Sequence, residues 1–473
     1  MHDFCCPKWS KKYERKDGYT FIYKFRQVLE HKMISNTIHN WFEIIFGNKQ
    51  HSEESRNIYI KESYESFESE FNSKSPLEKE ECLRKIEFGV CPAKVLYMDI
   101  KKRNMKCLKD KTSLINVPLL FESVKELQSV PLEIKIKVID NKKYLFQLFN
   151  DQIIQYAIIG YDKYKEHNNQ TNEQIISKTK IELTKPKIFK FKDYSFLNKS
   201  FLDRKPPLKI FNKSNTIVFG GYWSGEIMLV NLQHKQPLQI EKIYQNSEKS
   251  RVTCIELDSF DSYLACGTEM GFVFVYQIKP QINPFNITLR EYTTLTEHKH
   301  KIVDIVITNK LNLLVSLSVD GYAAVYTFPA FKLINLLFVH ANVSKCIISS
   351  CPLPCFVFLV NNKQQLKSYS INGHFLNEIE IEGSVTEFKV VKDVEFSEYL
   401  LCGIKNPNGY CEIQILNLPY LEKNSNLKKI VFESKLHYME LSEGHSFMML
   451  VMQKINDDKN ELVIIRENKN EHP

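Results

Sequence analysis

The chain has 473 residues, 43% of them hydrophobic, so it is long enough for two to four domains with buried cores. Its 64 basic and 56 acidic residues leave a formal charge of +8, which permits contact with anionic membrane or nucleic acid but requires neither. The first residues lack the apolar stretch of a secretory signal, and no apolar run approaches the ~20 residues of a membrane-spanning helix. We therefore expect a soluble protein with at most peripheral membrane contact.

The twelve cysteines are scattered without a regular framework. The close pairs, Cys5 with Cys6 and Cys351 with Cys355, lack zinc-ligand spacing and have no second pair nearby. The sequence therefore predicts free thiols in a reducing compartment, with no metal and no cofactor.

Residues 21–50 carry two amphipathic helical patterns. Apolar residues recur at helical steps in each half: Phe21, Phe25, Val28 and Leu29, then Ile34, Ile38, Trp41, Phe42 and Ile45. Ser35 is a residue type that caps helix N-termini, and Gly47 follows where a left-handed C′ residue is common. The pattern predicts two helices with buried apolar faces, a cap at Ser35 and a stop at Gly47.

A further helix is predicted over residues 77–87. It is preceded by Ser-Pro-Leu-Glu at 75–78, with serine as N-cap, proline at the first position and glutamate at the third. Basic runs at 8–16 and 101–106 could meet anionic lipid, but such runs more often form solvated faces, and we favour that reading. Nucleic-acid binding would need basic residues interleaved with stacking aromatics, and no such pattern stands out, so no nucleic-acid partner is expected.

From about residue 130, β-branched and aromatic runs alternate with turn residues, which predicts an all-β domain. Three units read as strand, glycine turn and strand, and their glycines Gly225, Gly271 and Gly321 lie 46 and 50 residues apart. Weaker units follow. The pattern predicts a β-propeller of six or seven blades over 130–466, a linker over 105–129 and a tail over 467–473.

Residues 1–104 resemble the C-terminal part of a BEACH domain, the module of beige/Chediak–Higashi and neurobeachin type proteins. The resemblance lies in Phe21-Ile22, Leu29-Glu30 and the Trp-Phe-Glu-Ile-Ile-Phe-Gly run at 41–47. The motif positions it implies, mostly structural, are Arg26, Ser35, His39, Trp41, Phe46, Gly47, Lys49, Gln50, Phe88, Gly89 and Pro92. Trp41 is expected in a core, His39 is expected to hydrogen-bond within the domain, and Lys49 and Gln50 are expected to face a partner or solvent.

The resemblance implies a multidomain protein with a mainly α-helical partial BEACH domain followed by an all-β WD-repeat propeller. It also implies that further BEACH sequence and a PH-like domain are encoded upstream of a fragment. Trp41, Phe42 and Phe46 would then lack part of their core, which would leave an apolar face open to interaction.

The third glycine unit resembles the middle of a WD-repeat blade. The resemblance implies that His298, Ser316 and Asp320 form the internal hydrogen-bond network of the blade, with Tyr326 in place of the usual tryptophan. A catalytic pairing of His298 with Asp320 is the alternative. We favour the structural network because buried polar groups need partners.

No phosphate loop, nucleophile elbow or HExxH motif is present, and no catalytic residues are assigned. The resemblance implies a non-enzymatic scaffold in vesicle trafficking and endolysosomal membrane dynamics. Such a protein would be cytoplasmic and peripherally associated with endomembranes, and it would bind proteins through both modules. A propeller adaptor for signalling or ubiquitin ligation, with the BEACH part a relic, is the alternative, and an enzyme is the weakest hypothesis.

Overall fold

The computed structural model of the chain contains two compact units, Met1–Asp110 and Lys111–Pro473. The first unit contains helices and the second contains strands. The structure describes every residue except 1–17, 30, 59, 65–66, 86–90, 92–93, 103–118, 132, 140–141, 150–151, 162–179, 191–206, 213–215, 221–223, 232–241, 281–286, 351–352, 361, 393–397, 424–429, 443–446, 456–458 and 468–473.

The two predicted amphipathic helices are present in the first unit as α1 and α2. The described helices are α1 Gly18–Leu29, α2 Lys32–Phe46, a 3-10 turn Lys61–Ser63, α3 Glu68–Asn72 and α4 Pro76–Lys85. The predicted start of α4 is confirmed, because the Glu78 carboxylate accepts hydrogen bonds from the backbone N–H and the hydroxyl of Ser75, at 2.9 and 2.7 Å. This contact satisfies a donor that the first helical turn leaves unpaired.

The predicted cap at Ser35 is wrong, because α2 begins three residues earlier. The cap is His31, whose Nδ1 accepts a hydrogen bond from the Met33 N–H at 3.3 Å. Ser35 already lies in the first turn, where its N–H donates to the His31 carbonyl at 2.9 Å. A side-chain acceptor at residue 31 therefore allows the helix to start there.

The predicted left-handed conformation of Gly47 is also wrong, since its φ is −121°. A Cβ atom at this position would lie 2.9 Å from the Cα of Glu43. Close approach of the chain to the last turn of α2 therefore requires glycine here, rather than a positive φ.

The strands of the second unit form seven antiparallel sheets, which confirms the predicted propeller and sets its blade count at seven. Blade 1 comprises β2 Glu133–Ile139, β3 Lys142–Leu148, β4 Gln152–Tyr161, β5 Lys180–Leu183 and β6 Lys187–Lys190; blade 2 comprises β7 Leu208–Ile210, β8 Thr216–Phe219, β9 Glu226–Asn231 and β10 Lys242–Gln245; blade 3 comprises β11 Val252–Leu257, β12 Tyr263–Thr268, β13 Val273–Pro280 and β14 Ile287–Leu295; blade 4 comprises β15 Ile302–Thr308, β16 Leu313–Ser318, β17 Tyr322–Thr327 and β18 Leu333–Phe338.

The remaining blades complete the ring. Blade 5 comprises β19 Lys345–Ser349, β20 Cys355–Val360, β21 Gln365–Ser370 and β22 Phe375–Glu380; blade 6 comprises β23 Ser384–Lys392, β24 Glu398–Lys405, β25 Cys411–Asn417, β26 Glu422–Lys423 and β27 Ile430–Phe432; blade 7 comprises β28 Ser434–Leu441, β29 Phe447–Lys454, β30 Asn460–Glu467 and the N-terminal strand β1 Leu119–Leu127.

Strand β1 closes the propeller by pairing with β30. The register runs from Leu119 opposite Glu467 to Leu127 opposite Asn460. The prediction of a linker over 105–129 is therefore wrong for residues 119–127, and Glu467 of the predicted tail belongs to β30. Because the first strand completes the last blade, this pairing satisfies a sheet edge and joins the two ends of the ring.

The glycine turns of the three sequence repeats are confirmed. Gly225, Gly271 and Gly321 have φ values of +75°, +92° and +93°. They lie between the second and third strands of blades 2, 3 and 4. A Cβ atom on Gly321 would overlap the carbonyl oxygen of His340. Both this overlap and the positive φ therefore exclude a side chain at Gly321.

The propeller core lies between blades and is built mostly by their second and third strands. β16 and β20 are buried along their whole length. Val325 of blade 4 and Phe356 and Phe358 of blade 5 belong to one packed cluster. Strands buried on both faces read as continuous apolar runs, which explains the Leu-Leu-Val-Ser-Leu and Phe-Val-Phe-Leu-Val segments of the sequence.

Candidate protein-interaction site

Several BEACH-type motif residues stabilise the turn that follows α2. Glu43 is buried and forms an ion pair with Lys49 at 2.7 Å. Its carboxylate also accepts a hydrogen bond from the Ile100 N–H at 3.3 Å. The hydrogen bond and the positive charge from Lys49 lower the pKa of Glu43. Lys49 therefore has a local structural role, although its side chain remains 44% exposed.

Gln50 is buried rather than facing solvent. Its amide donates hydrogen bonds to the Ile45 carbonyl at 2.8 Å and to the Cys91 sulfur at 3.4 Å. The carbonyl of Phe46 accepts hydrogen bonds from the backbone N–H groups of Val95 and Leu96 at 3.0 and 2.8 Å. These contacts satisfy carbonyl groups at the C-terminus of α2 and attach Cys91, Val95 and Leu96 to it.

The remaining motif positions on the two helices have different surroundings. His39 is buried, and its Nδ1 has no hydrogen-bond partner within the described part of the unit. Arg26 is exposed, and Ser35 is partly buried inside α2. Phe88, Gly89 and Pro92 lie outside the described residues. The structure thus brings Phe46, Gly47, Lys49 and Gln50 together at one turn.

The apolar stripe of α1 and α2, which was predicted to be buried, is largely on the surface. Five of its large side chains are between 37% and 54% exposed: Phe25, Leu29, Ile38, Trp41 and Phe42. Trp41 is the most exposed of them and makes edge contacts with Phe42 and Phe46, at centroid distances of 5.2 and 6.3 Å. We call these five residues the helical patch. Several exposed large apolar side chains on neighbouring helices are typical of an interaction site.

The predicted blade network in the propeller is present in part. His298 Nε2 and the Ser316 hydroxyl are 2.7 Å apart and both residues are buried. The Tyr326 hydroxyl donates instead to the carboxylate of Glu297, at 2.6 Å. Asp320 accepts a hydrogen bond from the Tyr322 N–H at 3.5 Å, while His298 Nδ1 has no partner among the described residues. Burial lowers the pKa of His298, which favours the neutral imidazole.

A set of ion pairs between the first strands of neighbouring blades was not predicted from the sequence. Glu440 of blade 7 contacts Lys389 of blade 6 at 2.9 Å and Lys135 of blade 1 at 3.6 Å. Two further pairs join other neighbours: Lys209 with Glu256 at 2.5 Å, and Lys345 with Glu387 at 3.1 Å. Most of these charged residues stand between two apolar neighbours in a first strand, and this is the signal that could have revealed them.

These ion pairs perturb the ionisation of the carboxylates they contain. The lysines beside Glu440 hold its pKa at about 2, against the opposing effect of burial. Among the described residues, no lysine lies within ion-pair distance of Asp304 of blade 4, and burial raises its pKa to about 6, although the Cys346 N–H donates to it at 2.8 Å. The first strands therefore hold both a strongly stabilised and a poorly stabilised carboxylate.

Membrane-spanning helices and metal sites are absent among the described residues. No helix there is long and apolar enough to span a membrane, and no cluster of three or more His, Cys, Asp or Glu side chains could hold a metal ion. The eight described cysteines are all free: Cys82, Cys91, Cys254, Cys266, Cys346, Cys355, Cys402 and Cys411.

A comparison with known proteins bears on the first unit. Residues 1–103 match the family model described as the Beige/BEACH domain. This part of the chain is thus similar to a BEACH domain. We refer below to Met1–Asp110 as the BEACH unit. The turn made by Phe46, Gly47, Lys49 and Gln50 and the helical patch both lie within the matched range.

A curated relative supports this assignment. The lysosomal-trafficking regulator of Drosophila melanogaster is 36% identical over 84 residues, which are 17% of this chain and 2% of that protein. The match thus covers a very small part of the relative's length. Among solved structures, a chain from the crystal structure of the mitotic checkpoint complex aligns with a TM-score of 0.45 and 11% identity, covering 77% of this chain and 96% of its own length.

Proposed function

We propose that this protein is a non-enzymatic scaffold in vesicle trafficking and endolysosomal membrane dynamics, which binds partner proteins through the BEACH unit and the propeller. The helical patch is the observation that carries the proposal, since it presents five large apolar side chains in a region with BEACH sequence. The name of the curated relative, a lysosomal-trafficking regulator, favours an endomembrane setting. In that setting the protein would be cytoplasmic and peripherally associated with membranes.

The geometry supports protein binding because local contacts hold the helix that carries Trp41 and Phe42 of the patch. The Glu43–Lys49 ion pair and the Gln50 hydrogen bonds fix the end of α2. Trp41 therefore projects from a helix whose C-terminal turn is held in place. Large aromatic side chains with this exposure supply much of the binding energy at protein interfaces.

The proposal is tested by affinity capture of the full tagged chain from cells, combined with membrane fractionation. Trp41→Glu should reduce the recovery of endolysosomal trafficking proteins at least tenfold, because it places a charge in the apolar patch. Leu77→Glu is the matched control, since Leu77 is 81% exposed on α4 and lies outside the patch. The proposal fails if the unmodified chain neither captures trafficking proteins nor fractionates with membranes.

The same experiment addresses the alternative of a propeller adaptor for signalling or ubiquitin ligation. In that case Trp41→Glu would leave every captured partner in place, and signalling proteins or ubiquitin-ligase subunits would dominate the captured set. The favoured proposal expects the opposite result for both observations.

A further inference from the structure

The outer strand of blade 4, β18, differs from the other outer strands of the propeller. Its sequence, Leu-Ile-Asn-Leu-Leu-Phe, contains no charged residue. The outer strands β1, β5, β6, β10, β14, β22 and β26 all carry lysine, arginine or glutamate, and the uncharged β27 has only three residues. Charged side chains are a common protection of sheet edges against pairing with other chains. β18 is therefore a long outer strand without this protection.

The main chain of β18 has one edge open to pairing among the described strands, since β18 pairs with β17 alone. The Val339 N–H donates to the Gly321 carbonyl at 2.9 Å, and bonded residues alternate along an antiparallel pair. Leu336 and Phe338 therefore direct their peptide groups away from β17. In agreement, the Leu336 N–H donates to the side-chain oxygen of Asn335 at 2.9 Å rather than to β17.

One face of β18 is also open and apolar. Leu333, Leu336 and Phe338 are 46%, 44% and 59% exposed, and they pair with Tyr326, Ala324 and Tyr322, which alternate along one face of β17. Ile334 is the extra residue of a β-bulge between Leu333 and Asn335, so it does not continue this alternation. Tyr322 extends the face, since its ring lies 5.2 Å from that of Phe338. On the opposite face, Leu337 packs tightly against Gly373 of blade 5.

The size of this surface indicates which kind of partner it fits. Leucine- and phenylalanine-sized side chains at about half exposure contribute roughly 100 Å² each, so the four residues offer about 400 Å². A stable dimer buries about 800 Å² per partner, so the surface is too small for a second copy of this chain. Strand addition needs less side-chain area, because main-chain hydrogen bonds provide part of the affinity.

We propose that β18 binds an extended, uncharged peptide segment of a partner protein as an antiparallel fifth strand of blade 4. Apolar residues at alternate positions of the peptide lie beside Leu336 and Phe338. The peptide main chain pairs with Leu336 and Phe338, and its carbonyl replaces the Asn335 side chain as acceptor of the Leu336 N–H. This assignment refines the proposed scaffold function by naming a peptide class and a docking strand.

The test uses the full chain and a fluorescent nine-residue probe in which leucine alternates with threonine, with a lysine at each end. Fluorescence anisotropy measures binding, and hydrogen exchange measures protection of residues 334–338. We expect saturable binding, slower exchange in this segment and at least a tenfold loss of affinity with Leu336→Lys. Phe375→Lys is the matched control, since Phe375 is 52% exposed on the outer strand β22 of blade 5, and it should leave the affinity unchanged.

Two N-methylated probes separate strand addition from simple apolar contact. Methylation of the amides that face β18 should abolish binding, whereas methylation of the alternate amides should leave it intact. The proposal is overturned if both probes bind equally or if Leu336→Lys has no effect. It is also overturned if the free chain forms a dimer that Leu336→Lys dissociates, since a second copy then occupies the surface. Trp41 is unchanged in all of these variants. A negative result for β18 therefore does not decide the capture experiment, which tests the helical patch separately.

Discussion

Replacement of Glu440 by glutamine should strongly destabilise the propeller. The carboxylate of Glu440 is 13% exposed and lies 2.9 Å from Lys389 and 3.6 Å from Lys135. It therefore joins blade 7 to both of its neighbours. Glutamine keeps the size and the hydrogen-bonding capacity of the side chain but removes its charge, which leaves two partly buried lysines without their main counter-ion.

The magnitude follows from the ionisation of Glu440. The lysines hold its pKa at about 2, compared with an ordinary value of 4.5, and this difference corresponds to about 3 kcal/mol in favour of the ionised folded state. Breaking a buried ion pair by removing one partner typically costs about 3–5 kcal/mol. We therefore expect Glu440→Gln to lower the free energy of unfolding by about 3–5 kcal/mol at pH 7.

The assay is urea denaturation of the full chain, followed by near-ultraviolet circular dichroism between pH 7 and pH 2. A carboxylate with a lowered pKa contributes stability above its unfolded pKa and loses it as the pH falls. The difference between the unmodified chain and Glu440→Gln should therefore be full at pH 7 and shrink from about pH 5 towards pH 2.

The matched control is Glu126→Gln, which removes an exposed ion pair with Lys459 at 3.6 Å within blade 7. Its expected cost is at most about 1 kcal/mol, because exposed pairs contribute little. A Glu440→Gln variant that is as stable as this control, or whose deficit is the same at pH 7 and pH 3, would refute the reasoning.

Three further predictions concern the propeller. Asp304→Asn should raise the free energy of unfolding by up to about 3 kcal/mol at pH 8 and by almost nothing at pH 4. The reason is that burial raises the pKa of Asp304 from 3.8 to about 6, so its ionisation destabilises the folded state increasingly between these two pH values. Urea denaturation at pH 4 and pH 8 measures the effect, and equal effects would contradict it. Gly321→Ala should lower the free energy of unfolding by about 1–3 kcal/mol, because alanine would need a positive φ and its Cβ would overlap the His340 carbonyl. A melting temperature within about 1 °C of that of the unmodified chain would contradict this. Ser316→Ala should cost about 1–3 kcal/mol by leaving the buried His298 imidazole without its partner, whereas the exposed Ser259→Ala should be nearly neutral in the same melting assay.

Features of this fold that depend on residues close together in the chain could be predicted from the sequence. The helical period of residues 21–45 and the Ser75–Glu78 cap identify α1, α2 and α4, because hydrogen bonds within a helix join near neighbours. The glycine turns were similarly readable, since a positive φ at Gly225, Gly271 and Gly321 restricts the residue type. The family resemblance was recognisable for the same reason, as its motif residues stand in fixed register.

Features that depend on distant partners could not be predicted. The apolar period of α2 shows which side chains share a face, but not whether another element covers Trp41. Strand β1 pairs with β30 more than 300 residues away, so nothing in residues 119–127 alone distinguishes it from a linker. The Glu440 ion pairs depend on three strands that meet in the closed ring.

The blade network shows how competition between nearby groups limits a motif-based prediction. The His298–Ser316 contact has the expected partners. The Tyr326 hydroxyl donates to Glu297, a residue outside the motif. The motif therefore does not name every partner of its residues.

The most direct test of the scaffold account is site-specific photo-crosslinking from position 41. The full chain, with a photoreactive phenylalanine analogue in place of Trp41, is irradiated in cells, and covalent adducts are identified by mass spectrometry. The account predicts discrete adducts with endolysosomal trafficking proteins, absent when the analogue replaces the exposed Leu77 instead. An absence of adducts at position 41, or an identical set of adducts from both positions, would contradict the claim that the helical patch is a protein-binding site.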